Sequence, residues 1–280
     1  MTFSIVAWDQ EEREWGVGVA SKFLAAGSVV SWARAGVGAI ATQAYANVTY
    51  GPRGLDLLAA KTADEVVAEL TGSDPESTQR QLGVVDRNGQ AAAFTGAECF
   101  DWAGSKIGDG YTCQGNILTG PEVVENMAAA FESTSGDLTA RLLMAMSAGD
   151  AVGGDRRGKQ SAAMLITREG GGYLGGTDVA LDLRVDDHPE PVAELGRVIE
   201  VHRLLFPNPR DLDFVDIDDP LAGRMAVALS AAGFETNSPA YDESLRKALF
   251  SWMGNENLEM RWSDDPVVDR TVLGLLLGED

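Results

Sequence analysis

The sequence is poor in the residues that build disulfide frameworks and metal sites. Among its 280 residues are two cysteines, Cys99 and Cys113, and two histidines, His188 and His202. Two cysteines are too few for a disulfide scaffold, and they lack the paired spacing of a zinc site. We therefore expect two reduced cysteines, no metal ion and no organic cofactor. For both histidines we expect a solvated or capping role rather than a catalytic one.

Long hydrophobic runs and a surplus of basic residues are also missing. No apolar run approaches the roughly 20 residues that span a bilayer, and the N-terminus lacks the basic and apolar regions of a signal peptide. The 43 acidic residues outnumber the 22 basic ones and give a net charge of −21. Binding to phosphate groups needs a basic surface, so this charge argues against nucleic acids and anionic membranes as partners. We expect a cytoplasmic protein.

A threonine at position 2 is the first candidate for catalysis. A small residue after Met1 allows removal of the methionine, and the mature chain would then begin with Thr2 and a free α-amine. An α-amine has a pKa of about 8, so near neutral pH it is partly deprotonated and can accept the hydroxyl proton. Nucleophile and general base would then belong to one residue. Because very many proteins begin with Met-Thr, this interpretation needs support from the rest of the chain.

Periodic patterns of apolar residues predict the secondary structure. The predicted strands cover residues 2–8, 15–22, 36–43, 81–86, 90–95, 111–116, 160–167, 172–176 and 181–186. The predicted helices are two short ones within residues 51–70 and others over 120–133, 137–148, 192–205, 221–232, 244–253 and 264–277. Thr62 or its neighbour, with Glu65 three residues on, has the spacing of a capping box at the start of the second helix.

The predicted elements occur in groups: strands, two helices, strands, two helices, strands. This order favours an α+β fold with largely antiparallel sheets and helix pairs on their outer faces. A four-layer αββα sandwich satisfies the count and places the first strand centrally, with Thr2 at the mouth of a cleft. We predict this fold for residues 1–205, a linker over 206–220 and a separate small helical domain over 221–280.

Several motifs occur in an order that resembles a known family. They are TFSIVA at 2–7, VASKF at 19–23, WARAGVGA at 32–39, ATQA at 41–44, QGN at 114–116, GGDRRGKQS at 153–161 and DDHP at 186–189. With these motifs, residues 2–205 resemble the family catalogued as domain of unknown function 1028. That family is placed among the proteasome-like N-terminal-nucleophile (Ntn) hydrolases, which implies an αββα fold and a catalytic Thr2. The tail is similar to a module associated with peptidoglycan binding, although a docking or dimer-forming role is an equal alternative.

The resemblance also implies residues around the nucleophile. In proteasome-like enzymes an acidic residue near the end of the second strand orients a basic residue on the following strand. Ser21 stands at the first of these positions here, and Arg34 lies near the second. Arginine stays protonated, so Arg34 would lower the pKa of the amine or bind an anionic substrate rather than act as a base. Lys22 would do the same and also shuttle a proton, unless it is a solvated charge at the strand end.

A glycine-rich loop at residues 153–161 supplies further candidates. Related enzymes hold the terminal amine with an aspartate and a serine in a comparable loop, which implies Asp155 and Ser161. Arg156, Arg157 and Lys159 make this loop basic. Such loops can bind phosphate through backbone N–H groups, but this one lacks the residue order of a nucleotide P-loop. We expect its basic groups, Arg157 among them, to attract a carboxylate or to pair with neighbouring acids.

Polar residues at strand ends are candidates for binding the substrate and an oxyanion. Oxyanion donors must lie about 3 Å from the developing negative charge. Thr42, Gln43 and Asn47 follow one another at the end of the third predicted strand, and Gln114 and Asn116 end a later one. Their amide and backbone N–H groups lie in reach of the expected cleft. Each candidate is weak alone, because Asn and Gln are also common in turns.

Two functions of different class fit these features. The first is a cofactor-independent amidohydrolase that cleaves a small amide or N-acyl amino compound through an ester on Thr2. The alternative is a non-catalytic ligand-binding or assembly protein that keeps the same sandwich without exposing the Thr2 amine. We expect a small-molecule amide as the partner of the enzyme, and a homo-oligomeric state.

Overall fold

A computed structural model describes residues 2–279 of the chain. These residues form two compact units, with the boundary between Arg197 and Val198. Met1, whose removal is predicted above, lies outside the described residues, and so does Asp280. Within residues 2–279 no helix is both long and apolar enough to cross a bilayer.

The first unit is built on two antiparallel sheets. Its strands are β1 (Thr2–Asp9), β2 (Glu14–Ser21), β3 (Ser31–Arg34), β4 (Gly38–Ala44), β5 (Arg80–Asp86), β6 (Ala91–Thr95), β7 (Gly104–Gly108), β8 (Tyr111–Asn116), β9 (Ser161–Thr167) and β10 (Val179–Val185). Among the described residues, one sheet has six strands in the order β10-β9-β2-β1-β8-β7 and the other has four in the order β3-β4-β5-β6. Strand β1 therefore lies in the interior of the larger sheet.

Helices cover the outer face of each sheet. The helices of this part of the chain are α1 (Gly27–Val30), α2 (Tyr50–Leu58), α3 (Ala63–Gly72), α4 (Glu122–Ser133), α5 (Leu138–Ala151) and α6 (Pro191–Leu205), and the unit boundary falls within α6. The six-stranded sheet is contacted by α4 and α5, and the four-stranded sheet by α2 and α3. Small and branched side chains, including Val6, Val17 and Val19 of one sheet and Ala39 and Ala41 of the other, fill the space between the sheets. The predicted α+β fold with two antiparallel sheets is confirmed.

Two glycines in β2 let α5 lie close to the sheet. A Cβ atom at Gly16 would lie 2.7 Å from Cδ1 of Leu142, and one at Gly18 would lie 2.7 Å from Sδ of Met146. Such distances are well below ordinary van der Waals contact. A larger residue at either position would therefore push α5 away from the two strands that position Thr2.

Most predicted elements are present, with small shifts at their ends, and the capping box of Thr62 and Glu65 is confirmed. The predicted strand over 172–176 is wrong. A 3-10 turn occupies Tyr173–Gly175 instead, and Leu174 has a φ of 52°, which an extended chain does not adopt. Strands β3 and β7 were not predicted. Strand β7 lies at a sheet edge with mostly exposed side chains, so its sequence has no alternation of apolar and polar residues.

The second unit combines helices with a two-stranded sheet. Its elements are β11 (Phe214–Asp216), α7 (Asp219–Ala231), α8 (Glu243–Asn255), β12 (Val267–Asp269) and α9 (Arg270–Leu277). Residues 206–220, predicted as a linker, contain β11 and the start of α7, and β11 pairs with β12. The predicted helix over 264–277 begins only at Arg270, where the Asp269 carboxylate accepts hydrogen bonds from the first backbone N–H groups. Asp269 also forms a buried ion pair of 3.0 Å with Arg261.

Glu14, at the start of β2, has a carboxyl group that titrates near neutral pH. Burial raises the pKa of Glu14 from 4.5 to about 7. The ion pair with Arg168, at 2.8 Å, lowers the pKa but is outweighed, and the nearby carboxylates of Asp9 and Glu12 raise it further. Between pH 4.5 and 7 the folded protein therefore binds a proton at Glu14 that the unfolded chain has released.

Because of this difference, we expect the free energy of unfolding to fall as the pH rises. The contribution of Glu14 is full below pH 4.5 and is lost by about pH 7, which amounts to about 3 kcal/mol. Glu14→Gln should remove this part of the pH dependence of the unfolding free energy, measured by urea titration at pH 5 and pH 8. Glu11→Gln, at an exposed position of the same hairpin, is the matched control. An unchanged pH dependence in Glu14→Gln would contradict the assignment.

Candidate functional site

Thr2 lies at the open end of the space between the two sheets. The side chains of Thr2, Ser4 and Val6 share one face of β1, and Val6 packs in the core between the sheets. Thr2 is only 5% exposed, and its Oγ1 lies 3.1 Å from Oγ of Ser21, the last residue of β2. Asn116, the last residue of β8, lies directly opposite Thr2 on its other side. The structure therefore brings the predicted residues Thr2, Ser21 and Asn116 together.

A buried network of amide side chains continues from Thr2 into the space between the sheets. Gln43 of β4 donates from Nε2 to the Thr2 carbonyl oxygen at 3.4 Å, and its Oε1 accepts from Oγ of Ser4 at 2.7 Å. Gln114 of β8 donates from Nε2 to the same Ser4 Oγ at 2.6 Å. These side chains are at most 1% exposed. The predicted residues Gln43 and Gln114 thus hold the Thr2 carbonyl group and the Ser4 side chain at the start of β1.

Gln81 of β5 is the centre of this network, and sequence reasoning missed it. Its Nε2 donates to the carbonyl oxygens of Gly115, at 2.7 Å, and Gly104, at 3.2 Å. Its Oε1 accepts from Gln43 Nε2 at 2.8 Å and from Asn116 Nδ2 at 2.9 Å. A carbonyl oxygen can only accept, so Gly104 and Gly115 fix which end of each amide faces which partner. The only sequence signal was a polar residue on the inner face of an otherwise apolar strand.

Asp155 supports Ser21 from outside the network. Its Oδ2 accepts from the backbone N–H of Lys22 at 2.8 Å and forms an ion pair of 2.9 Å with Nη2 of Arg157. The ammonium group of Lys22 donates to the carbonyl oxygen of Lys159 at 3.2 Å, and the side chain is exposed. Within residues 2–279 neither the Lys22 ammonium nor the Asp155 carboxylate hydrogen bonds to Thr2. Asp155 therefore holds the backbone that follows Ser21.

Ser161 has a comparable supporting role. Its Oγ donates to the carbonyl oxygen of Phe23 at 2.6 Å and accepts from the N–H of Ala26 at 3.0 Å. These bonds hold the turn that follows β2. The interaction of Ser161 with the terminal amine, implied by the family resemblance, is not among its contacts in the described residues.

Two predicted site residues lie elsewhere. Arg34 is opposite Gly38 in the sheet, five positions along β4 from Gln43, which corresponds to about 16 Å. Its guanidinium group forms an exposed ion pair with Asp56 at 3.0 Å. Thr42 shares a strand face with Ile40, which packs under the helices, so Thr42 points away from Gln43. The structure therefore does not bring Arg34 or the side chain of Thr42 to Thr2, because the position along a strand and the face of the sheet decide which side chains reach it.

Asn47 anchors the loop after β4 rather than pointing at Thr2. Oδ2 of half-buried Asp74 accepts from Asn47 Nδ2 at 3.1 Å, from the Tyr50 hydroxyl at 3.0 Å and from Arg80 Nε at 3.1 Å. Burial alone would raise the pKa of Asp74, but these hydrogen bonds outweigh it and hold that pKa well below its usual range. Arg80 also donates to the carbonyl oxygen of Tyr45. The ion pair thus fixes the backbone that carries Tyr45.

A pocket of about 210 Å³ opens beside Asn116. It is lined by Ala44, Tyr45, Gln79, Glu98, Cys99, Phe100, Asn116, Ile117 and Arg157. The chain leaves β4 and β8 here through two non-glycine residues in the left-handed region, Ala44 with φ 69° and Ile117 with φ 51°. This conformation costs roughly 1 kcal/mol per residue, and such residues cluster at functional sites. Of the lining residues, sequence reasoning identified only Asn116 and Arg157.

The comparisons with known proteins agree with the motifs. Residues 2–195 match the family model described as "Family of unknown function (DUF1028)", and residues 205–276 match the one described as "Putative peptidoglycan binding domain". No curated protein matches the chain. The crystal structure of protein SPO2555 from Silicibacter pomeroyi, assigned to DUF1028, is similar at 30% identity with a TM-score of 0.66, covering 72% of this chain and 89% of that one. The chain belongs to the DUF1028 family.

Proposed function

We propose that this protein is an N-terminal-nucleophile amidohydrolase that cleaves a small amide or N-acyl amino compound. The first unit is then a four-layer αββα sandwich of the Ntn type. The observation that carries the proposal is the position of Thr2, at the start of an interior strand with its hydroxyl 3.1 Å from that of Ser21. A buried hydroxyl at the end of a cleft, next to a pocket, suits a positioned nucleophile.

The proposed reaction begins after removal of Met1. The free amine of Thr2 accepts the proton of Oγ1 while Oγ1 attacks the carbonyl carbon of the substrate. The tetrahedral intermediate collapses to an ester on Thr2, and the departing amine takes the proton. Water then attacks the ester carbonyl and loses a proton to the Thr2 amine, the bond to Oγ1 breaks, and Oγ1 takes that proton back as the carboxylic acid is released. Ser21 orients Oγ1 through their hydrogen bond.

The amide side chains around Thr2 position it rather than bind the oxyanion. The N–H groups of Gln43 and Gln114, and one of the two side-chain N–H groups of Asn116, already donate to acceptors within the protein. If these N–H groups bound the substrate instead, hydrogen bonds inside a buried network would break. Each buried group left unpaired costs about 1–3 kcal/mol. We therefore assign them to the support of β1.

The location and partners follow the same proposal. We propose a cytoplasmic homo-oligomer that acts on a small molecule, with no nucleic acid or membrane as partner, because the net charge of −21 repels polyanions. For the second unit we propose docking or dimer formation. Peptidoglycan binding, by an open cleft of about 730 Å³ lined by residues such as Asp242, Glu243 and Lys247, is the alternative, and it would require export.

A cleavable N-terminal tag tests the mechanism without changing any residue of the chain. We expect the tagged protein to be inactive, because its Thr2 nitrogen is an amide and cannot accept a proton. Cleavage that leaves Thr2 first should switch on hydrolysis of a member of a small-amide panel, with a rate that rises as the amine deprotonates around pH 8. Mass spectrometry of the native protein shows whether Met1 is removed. Equal turnover before and after cleavage would contradict the mechanism, and inactivity of both forms across the panel would favour a non-catalytic binding protein.

A further inference from the structure

Asn116 gives the pocket beside Thr2 a side-chain hydrogen-bond acceptor for a ligand. Asn116 is 2% exposed and donates from Nδ2 to Gln81 Oε1 at 2.9 Å. Within residues 2–279 nothing donates to its Oδ1. The carbonyl oxygens that bind Gln81 prevent the amide of Asn116 from rotating to the opposite arrangement without loss of a hydrogen bond. Asn116 therefore offers an oxygen to the pocket, which suits an N–H donor.

The charges at the pocket disfavour an anionic ligand. Arg157 lines the pocket, but its Nε and Nη2 already bind the two oxygens of Asp155 at 3.2 Å and 2.9 Å. The guanidinium charge is thus balanced by a buried carboxylate. Glu98, also on the lining, adds a negative charge. Of the two expectations for Arg157, a substrate carboxylate or a neighbouring acid, the contact with Asp155 matches the second, and the pocket favours an uncharged group.

Two exposed aromatic rings border the pocket. Tyr45 is 58% exposed and Phe100 is 57% exposed, and their ring centroids lie 6.3 Å apart with planes tilted by 58°. When exposed rings beside an apolar wall, here Ile117, cover a flat apolar group, the burial of apolar surface favours binding. The loop that carries Tyr45 is held in place by the Asp74 and Arg80 ion pair, so this ring needs little reordering on binding.

The pocket is within reach of the proposed nucleophile. Thr2 and Asn116 are direct cross-strand partners, and Cβ atoms of such pairs lie about 5 Å apart. A group whose N–H donates to Asn116 Oδ1 therefore places its neighbouring carbonyl carbon close to Thr2 Oγ1. Donor and carbonyl on adjacent atoms are the features of a carboxamide.

We propose that this pocket binds an uncharged carboxamide with an aromatic or compact aliphatic body, its N–H on Asn116 and its body against Tyr45 and Phe100. The assignment of this ligand as substrate rests on the proposed function, whereas its binding does not. The pocket thereby selects amides and rejects the carboxylic acid that hydrolysis would produce. This preference would also favour product release.

Matched small ligands test the proposal on full-length protein carrying Thr2→Ala, which cannot form the ester. The probes are benzamide, methyl benzoate and benzoate, with binding measured by saturation-transfer NMR and calorimetry. We expect benzamide to bind in the millimolar range, and methyl benzoate, which lacks an N–H, to bind about fivefold or more weaker. Benzoate should bind weakest. Equal or tighter binding of methyl benzoate or benzoate would overturn the role of Asn116.

Variants of the two rings locate the ligand. Tyr45→Ala and Phe100→Ala should each weaken benzamide about five- to tenfold, and Tyr173→Ala, at another exposed ring outside the pocket lining, should not. Unchanged binding in both pocket variants, or no benzamide binding up to its solubility limit, would overturn the proposal. Benzamide binding without turnover of any amide by the tag-cleaved protein would leave the pocket intact and refute the proposed function. Turnover of an amide without benzamide binding would refute the proposed pocket ligand and leave the proposed function intact.

Discussion

Thr2→Ala, produced with a free N-terminus, is expected to lower amide hydrolysis by a factor of about 10⁴ or more. The alanine keeps the amine but removes Oγ1, so no ester forms. Thr2→Ser, which keeps the hydroxyl, should retain measurable turnover. Rates of product formation by tag-cleaved proteins measure the effect. Circular dichroism melting should show that both variants remain folded, because the Thr2 side chain contributes only its hydroxyl and methyl group to the buried site.

The pair of variants separates a nucleophile from a structural residue. If Thr2→Ala and Thr2→Ser lose activity equally, the hydroxyl is not the attacking group and the defect arises from packing at the end of β1. If Thr2→Ala keeps full turnover, the reaction takes place at another site.

The second large effect is expected from Gln81→Glu, a change that preserves shape and alters hydrogen bonding. The new carboxylate oxygen would face the carbonyl oxygens of Gly104 and Gly115 in place of an N–H donor. A buried charge opposite two acceptors should destabilise the fold by about 3–5 kcal/mol at pH 8. Part of this loss should be recovered at acid pH, because a protonated carboxyl group donates again. Urea unfolding at pH 5 and pH 8 measures both effects.

Gln90→Glu is the control for this experiment. Gln90 is exposed in the turn before β6, so the same chemical change there adds a solvated charge and should alter the unfolding free energy by less than about 0.5 kcal/mol. Equal losses in the two variants would show that added negative charge, rather than the broken network, destabilises this acidic protein.

The sequence predicted local features better than long-range ones. Runs rich in Val and Ile located β1 and β2, and the Asn-Gly turn at residues 88 and 89 located β5 and β6. No such pattern marks β7, whose residues are mostly exposed, and this strand was missed. The error over 172–176 arose because glycine-rich segments fit a turn as well as a strand.

The same limit applies to the candidate site. Thr2 and Ser21 were predicted together, since a hairpin brings the two ends close. Arg34 was assigned by matching its segment to the following strand of proteasome-like enzymes, but its place in the sheet is decided by pairing with β4. Gln81 and Tyr45 were missed because their partners lie far away in the sequence, and no local pattern marks a contact between two sheets.

The fixed direction of the buried amide network has an evolutionary consequence. Its direction originates at the carbonyl oxygens of Gly104 and Gly115, which belong to the main chain and not to a side chain. The orientation of the Asn116 amide is therefore insensitive to most substitutions around it. The residues that carry the pocket rings, Tyr45 and Phe100, are free to change. Homologues can differ in the size and shape of the molecule they bind and still require that this molecule carry a hydrogen-bond donor.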